Sequence, residues 1–316
     1  MLRRIVTQLH NANAPPPHPP HPVSVIVLCA SPIHTSQVTS LYGTFVGASK
    51  FVGTGLDKWI TALVTTLRGT FWDAKAMNTN VGGWDTSKVT TLYWTFLGTR
   101  KFLGKGLDKW ITSSVTDMDQ TFFGNSAMNS NLGDWDTSKV TTLIGTFYKA
   151  LTFVGTGLDK WITTSVTDLS HTFRDAKAMN ANLGVWDTSK VINMGFTFLN
   201  AAKFLGEGID KWTTSSVTDL SSTFNGASAM NSDLGGWSTS KVTLLYGTFQ
   251  FATKIIGNGI SNWDVSKVKD MTHTFSASVQ VRRGEERKRG RIACLLCRGC
   301  VVTCVVECVV AREPTM

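Results

Sequence analysis

The chain has 316 residues, with 31 Lys or Arg against 22 Asp or Glu and a formal charge of +9. Length alone would allow two ordinary domains, but the charge is unevenly placed: residues 36–278 carry 21 cations and 18 anions, whereas the flanks carry 10 and 4. The long central region therefore has no obvious phosphate-binding field, and no specific nucleic-acid partner is expected of it.

Cysteine follows the same division, with Cys29 ahead of the centre, Cys294, Cys297, Cys300, Cys304 and Cys308 behind it, and none inside. The centre uses neither disulfides nor thiolate ligands, so it tolerates either redox compartment and cysteine assigns no location. No Asn is followed two residues later by Ser or Thr, so N-glycosylation is equally silent.

Residues 1–35 open with MLRR, pass through PPPHPPHP and reach a short apolar run from Val23 to Ala30. Prolines and histidines between the charged and apolar parts do not suit a secretory signal, and the segment reads as a disordered, polyproline-like leader.

From there a tandem repeat takes over. Valines recur at Val38, Val64, Val89, Val115, Val140, Val166, Val191, Val217, Val242 and Val268, so the spacing alternates between 26 and 25 residues. A fixed period of this length predicts supersecondary units stacked on their neighbours, here a leucine-rich-repeat-like solenoid of about nine and a half coils over residues 36–278.

Aligned on valine, Phe96, Phe122, Phe147, Phe173, Phe198, Phe224 and Phe249 share one position, each preceded by Thr. Six residues later Phe102, Phe153 and Phe204 alternate with Met128, Met179 and Met230, as expected of core ladders whose rungs pack without identical shapes colliding. Val, Leu or Met, and Phe at i, i+3 and i+7 predict a short helical segment.

The longer coils then carry Gly-x-Gly (Gly104 and Gly106) and the shorter ones Asn-x-Asn or Asn-x-Asp (Asn129 and Asn131). Both are expected to form tight left-handed turns. Next comes Leu-x-x-Trp-x-Thr, the spacing of a leucine-rich repeat with Trp as its central inward residue, which predicts a short parallel strand. Trp59, Trp84, Trp110, Trp135, Trp161, Trp186, Trp212, Trp237 and Trp263 should form one buried ladder.

Residues beside each Trp should then face outward. Longer coils present Lys58, Lys109, Lys160 and Lys211 before it and Ile60, Ile111 and Ile162 after it; shorter coils present Asp85, Asp136 and Asp187 after it. Each Lys should lie diagonally across from an Asp. One reading is a solvated lattice that separates like charges, worth within about 1 kcal/mol per pair. The other is a recognition strip for a protein, with Ile studs between charges.

His171 and His273 are single histidines with no recurring carboxylate pair or nucleophile beside them, and read as surface histidines rather than catalytic groups. No enzyme activity, metal or cofactor is expected. The ladder from Thr61 through Thr137 to Thr239 raises an ice- or mineral-ordering array, although these threonines should point inward and bond to backbone.

After Phe275 the register is lost, and residues 279–316 form a basic, Cys-rich tail expected to be disordered and to offer polyanion binding as an alternative function. Arg298 and Glu307 interrupt its apolar residues, so no transmembrane segment is expected. Neither flank offers a polar segment to cover a terminal coil, which would favour end-to-end self-association.

The run Trp135-Asp136-Thr137-Ser138-Lys139-Val140-Thr141-Thr142-Leu143 with Thr146-Phe147, repeated from Trp84, Trp186 and Trp263, resembles the BspA-type leucine-rich-repeat surface proteins, whose repeats of unknown function were catalogued in mycoplasmas and oral bacteria. The resemblance implies a noncatalytic role in adhesion or protein binding at a cell surface. It carries over no catalytic residues.

Overall fold

The computed structural model describes residues 35–278. The expectations for the leader and the tail lie outside the described residues. Successive coils are joined by a column of parallel bridges that runs from Ser40↔Thr66 through Asp117↔Thr142 to Leu244↔Asp270. This column sits two residues after each valine, not in the Leu-x-x-Trp-x-Thr segment where the strand was expected. The pairing is by isolated bridges, without extended strands among the described residues.

The Trp segment is built differently because its first residues turn. In longer coils a single 3-10 turn closes here, as Gly-Leu-Asp-Lys at Leu56–Lys58, Leu107–Lys109 and Leu158–Lys160, as Gly-Ile-Asp-Lys at Ile209–Lys211 and as Gly-Ile-Ser-Asn at Ile260–Asn262. Only at Trp does the backbone become extended, with φ −73° and ψ 134° at Trp110. Threonine then replaces strand pairing. The Thr86 hydroxyl donates to the Ile111 carbonyl (3.0 Å) and accepts from the Ile111 N–H (2.9 Å), and Thr137 does the same with Ile162 at 2.9 Å in both directions. A side chain that offers donor and acceptor together can stand in for a ladder peptide.

The expected helical segment is also different. Val89, Leu92 and Phe96 do share the inward face, but no α-helix occurs among the described residues. The chain instead makes consecutive turns in which alternate N–H groups go two ways. Leu92, Trp94, Phe96 and Gly98 donate to Asp117, Asp119, Thr121 and Phe123 of the next coil, whereas Thr95, Leu97 and Thr99 donate three residues back. The geometry requires left-handed backbone at the fifth and ninth residue after every valine, positions held by Trp94 and Gly98, Gln120 and Gly124, Gly145 and Lys149, or Phe196 and Asn200. A helix would send every N–H along the chain and leave neighbouring coils unjoined.

The core is one continuous cluster. Phe rings of successive coils stack from Phe45 to Phe275 with centroids 5.4–5.7 Å apart, and the nine tryptophans of the Leu-x-x-Trp pattern stack at 6.2–6.4 Å. Trp59 is partly buried and the other eight are buried.

Trp fits where leucine would leave a polar group stranded. Trp135 Nε1 donates to the Leu107 carbonyl (2.8 Å) and Trp161 Nε1 to Leu132 (3.0 Å), so each indole satisfies the preceding coil inside an apolar core. The buried Thr before each Phe does similar work: the Thr146 hydroxyl lies 3.1 Å from the Met118 carbonyl of the preceding coil and 2.9 Å from Leu143 in its own.

Gly and Asn turns are not equivalent. Gly104 and Gly106 have φ of 88°, whereas Asn129 and Asn131 are not among the left-handed residues. The asparagines hold neighbours instead: Asn129 Oδ1 accepts the Val154 N–H of the next coil (3.0 Å), and Asn131 Oδ1 accepts Gly133 N–H (2.8 Å). A Cβ on Gly106 would lie 2.6 Å from Gly82 Cα, and one on Gly157 equally close to Gly133 Cα. Long and short coils alternate so that these backbones can touch.

Candidate recognition surface

Side chains alternate about each Trp as the pattern requires. Lys58, Lys109, Lys160 and Lys211 are exposed, as are Asp85, Asp136 and Asp187. Ile60, Ile111 and Ile162 are 48–57 % exposed. The expected diagonal Lys–Asp pairs do not form; the only ion pair within 4.0 Å among the described residues is Arg174–Asp175 at 3.9 Å, elsewhere on the molecule.

Each Asp turns back along its own chain. Asp136 Oδ1 accepts from the Ser138 hydroxyl (2.6 Å) and the Ser138 N–H (3.0 Å), and Asp85 is held likewise by Ser87 at 2.7 and 3.0 Å. The serine hydroxyl first, and its N–H second, hold the carboxyls of Asp85, Asp136 and Asp187 below the usual range. A short local bond wins over a long Lys side chain, whose ordering would cost more entropy.

The threonines two residues after each Trp are buried and their hydroxyls spent on backbone, as Thr112 on Asp136 and Thr163 on Asp187 show. That removes them from any ice- or mineral-ordering surface. A second column, Thr65, Thr90, Thr116, Thr141 and Thr167, is exposed, and each hydroxyl donates to a carbonyl of the preceding coil at 3.1–3.3 Å.

Sequence reasoning missed a cluster on the outside of the turns. Trp72, Trp94 and Leu97 form a second buried group with Tyr93 and Phe123 packed against it. Arg68 lies over it, 4.7 Å from the Tyr93 ring centroid and 5.6 Å from Tyr42. Further along, Phe123 stacks on Tyr148 (4.4 Å) and His171 on Phe196 (4.7 Å). These residues do not repeat, so periodicity gave no sign of them; the available signal was a large aromatic at Trp94 and Phe196 where four other coils place glycine.

Two titrating groups belong to this face. His171 is half-buried rather than a free surface histidine, and burial first, then the nearby Arg174, lowers it to about 4. Asp119 accepts from the Thr142 hydroxyl (2.6 Å) and the Ile144 N–H (2.9 Å). Burial nonetheless pushes it up to about 7, with Asp117 adding to the rise. Among the described residues no group of three or more His, Cys, Asp or Glu could hold a metal ion, and no helix is long and apolar enough to cross a membrane.

The family described as "Mycoplasma protein of unknown function, DUF285" matches residues 29–105, 90–207 and 168–285, three tandem stretches that together span the described coils. The chain belongs to this family. Each matched stretch of the DUF285 family holds several complete Phe and Trp rungs of the stack. No curated protein and no solved structure matches the chain.

Proposed function

We propose that this DUF285 chain is a noncatalytic repeat protein of leucine-rich-repeat-like solenoid type, akin to BspA surface proteins, that binds a protein partner in adhesion through the columns flanking its Trp ladder. The observation that carries this reading is the failure of those columns to neutralise themselves. Lys58, Lys109, Lys160 and Lys211 are exposed and form no ion pair within 4.0 Å among the described residues, and the intervening Ile side chains are about half exposed. A lattice built only for solubility would close its own charge pairs or omit the Ile studs. Rigid apolar anchors ringed by available charges suit a protein interface, in which a few buried anchors carry most of the affinity.

The test places a photo-crosslinking residue at Ile111 and, as a control, at exposed Thr116 on the valine side. Crosslinks should be selective for Ile111, and Ile60→Ser, Ile111→Ser and Ile162→Ser combined should weaken the captured partner's affinity at least ~tenfold with an unchanged unfolding midpoint. Equal crosslinking at both sites, or unchanged affinity, refutes the assignment of this face.

A further inference from the structure

A different edge of the stack carries a chemistry that the core does not require. Immediately after the inward Phe51, Phe102, Phe153 and Phe204 of the longer coils, and after Ile255 at the same position, stands an exposed aliphatic residue: Val52, Leu103, Val154, Leu205 and Ile256, each 41–55 % exposed. Two residues before four of these stand Lys50, Lys101, Lys203 and Lys254, all exposed. The shorter coils add exposed Lys75 and Lys177 at the same corner, and Arg100 stands beside Lys101. No Asp or Glu occupies the eleventh, twelfth or fourteenth residue after any valine from Val38 to Val242. The Trp side, by contrast, mixes both signs.

The studs are held in line. Asn78, Asn129, Asn180 and Asn231 occupy the equivalent place in the shorter coils, and each Oδ1 accepts the N–H of the following stud at 3.0–3.1 Å. Two coils separate successive studs, which at the spacing of paired parallel backbones is about 10 Å, giving a row of roughly 40 Å along the stack from Val52 to Ile256. Packing of the core is already complete at Phe102, Phe153 and Phe204, which are fully buried, so nothing inside calls for aliphatic side chains at the next position.

We propose that this edge is a docking surface for an anionic lipid bilayer. Charge complementarity selects an anionic partner, because the columns that frame the studs carry cations and no anion while the array as a whole is near neutral. The studs decide which kind. A soluble polyanion would leave a row of half-exposed Val, Leu and Ile facing water, whereas a bilayer interface takes aliphatic side chains into the headgroup–acyl boundary while Lys ammonium groups remain among the phosphates. A fluid bilayer also accepts a regular row of studs without having to match it residue by residue. The surface lies apart from the Trp-flanking columns, so it stands or falls independently of the protein-binding reading.

Vesicle co-sedimentation of the full chain tests this, with vesicles of phosphatidylcholine alone or in equal parts with phosphatidylglycerol. The chain should sediment with the anionic vesicles and not with the neutral ones. Lys101→Glu with Lys203→Glu should lower partitioning at least ~tenfold, and Leu103→Ser with Leu205→Ser should lower it about as much while leaving its salt dependence in place. Thermal unfolding of both double variants should match the parent, since all four side chains are exposed. Failure to bind anionic vesicles overturns the proposal. So does sedimentation that survives both double substitutions, which would place binding elsewhere in the chain, or loss with the Lys variants alone, which would mean polyanion recognition without insertion.

Discussion

Gly55 and Gly106 occupy the same place in two longer coils with the same φ of 88° and no side-chain cap on the turn that follows. Among the described residues nothing lies within 4 Å of a Cβ built on Gly55, whereas one on Gly106 would meet Gly82 Cα at 2.6 Å and Gly82 N more closely still. Alanine at either position bears the same backbone cost, about 1–2 kcal/mol for an L-residue in left-handed conformation. Gly106→Ala adds a clash with backbone that no rotamer change relieves. The coils would have to part where Val81 N–H meets the Lys105 carbonyl (3.1 Å) and Trp110 Nε1 meets the Val81 carbonyl (3.0 Å). Overpacking of this kind costs about 1–3 kcal/mol, so Gly106→Ala should destabilise by about 2–5 kcal/mol against about 1–2 for Gly55→Ala. Urea unfolding followed by tryptophan fluorescence gives the global value. Because a repeat array can open locally, the amides of Leu56 and Leu107, each donating within its own turn at 3.2 Å, give the local one by hydrogen exchange. Equal losses for the two variants by both readouts would refute the claim that coil alternation exists to let glycine backbones touch.

Trp135→Ala should cost roughly 3–5 kcal/mol as a large-to-small change in a close-packed ladder, and Trp135→Phe about 1–3 kcal/mol for the Leu107 carbonyl that loses its indole donor; an unchanged denaturation midpoint for either would contradict the ladder. Asp119 releases its proton near 3.8 when unfolded and near 7 when folded, so the folded chain holds an extra proton between those values and stability falls as pH rises across that window. Asp119→Asn keeps the Thr142 and Ile144 bonds, since both end on Oδ1. It should therefore melt at the parent's temperature under acid conditions and above it at about pH 8; a variant that melts lower at both would show that the carboxylate stabilises this face.

The chain's own sequence determined the repeat, its period, and which side chains face in. Each coil presents Val, Leu, Phe and Trp at fixed offsets, and burial of one large apolar side per turn of the stack leaves a single orientation open to Trp135, Lys109 or Ile111. Which backbone groups pair was decided only by the tertiary structure. The partner of the Leu92 N–H is the Asp117 carbonyl, in the next coil, and inward residues at i, i+3 and i+7 suit consecutive turns as well as they suit a helix. Left-handed backbone falls on Trp94, Gln120, His171 and Phe196, none of which announces it by composition, because stacking on both neighbours imposes the conformation. The Lys–Asp pairing failed for a related reason: the serine two residues beyond Asp136 offers two donors at no cost in chain closure. Contacts made along the chain can be read from neighbours in sequence, while contacts made across coils depend on which of several nearly equivalent backbone geometries lets every coil satisfy the one stacked on it.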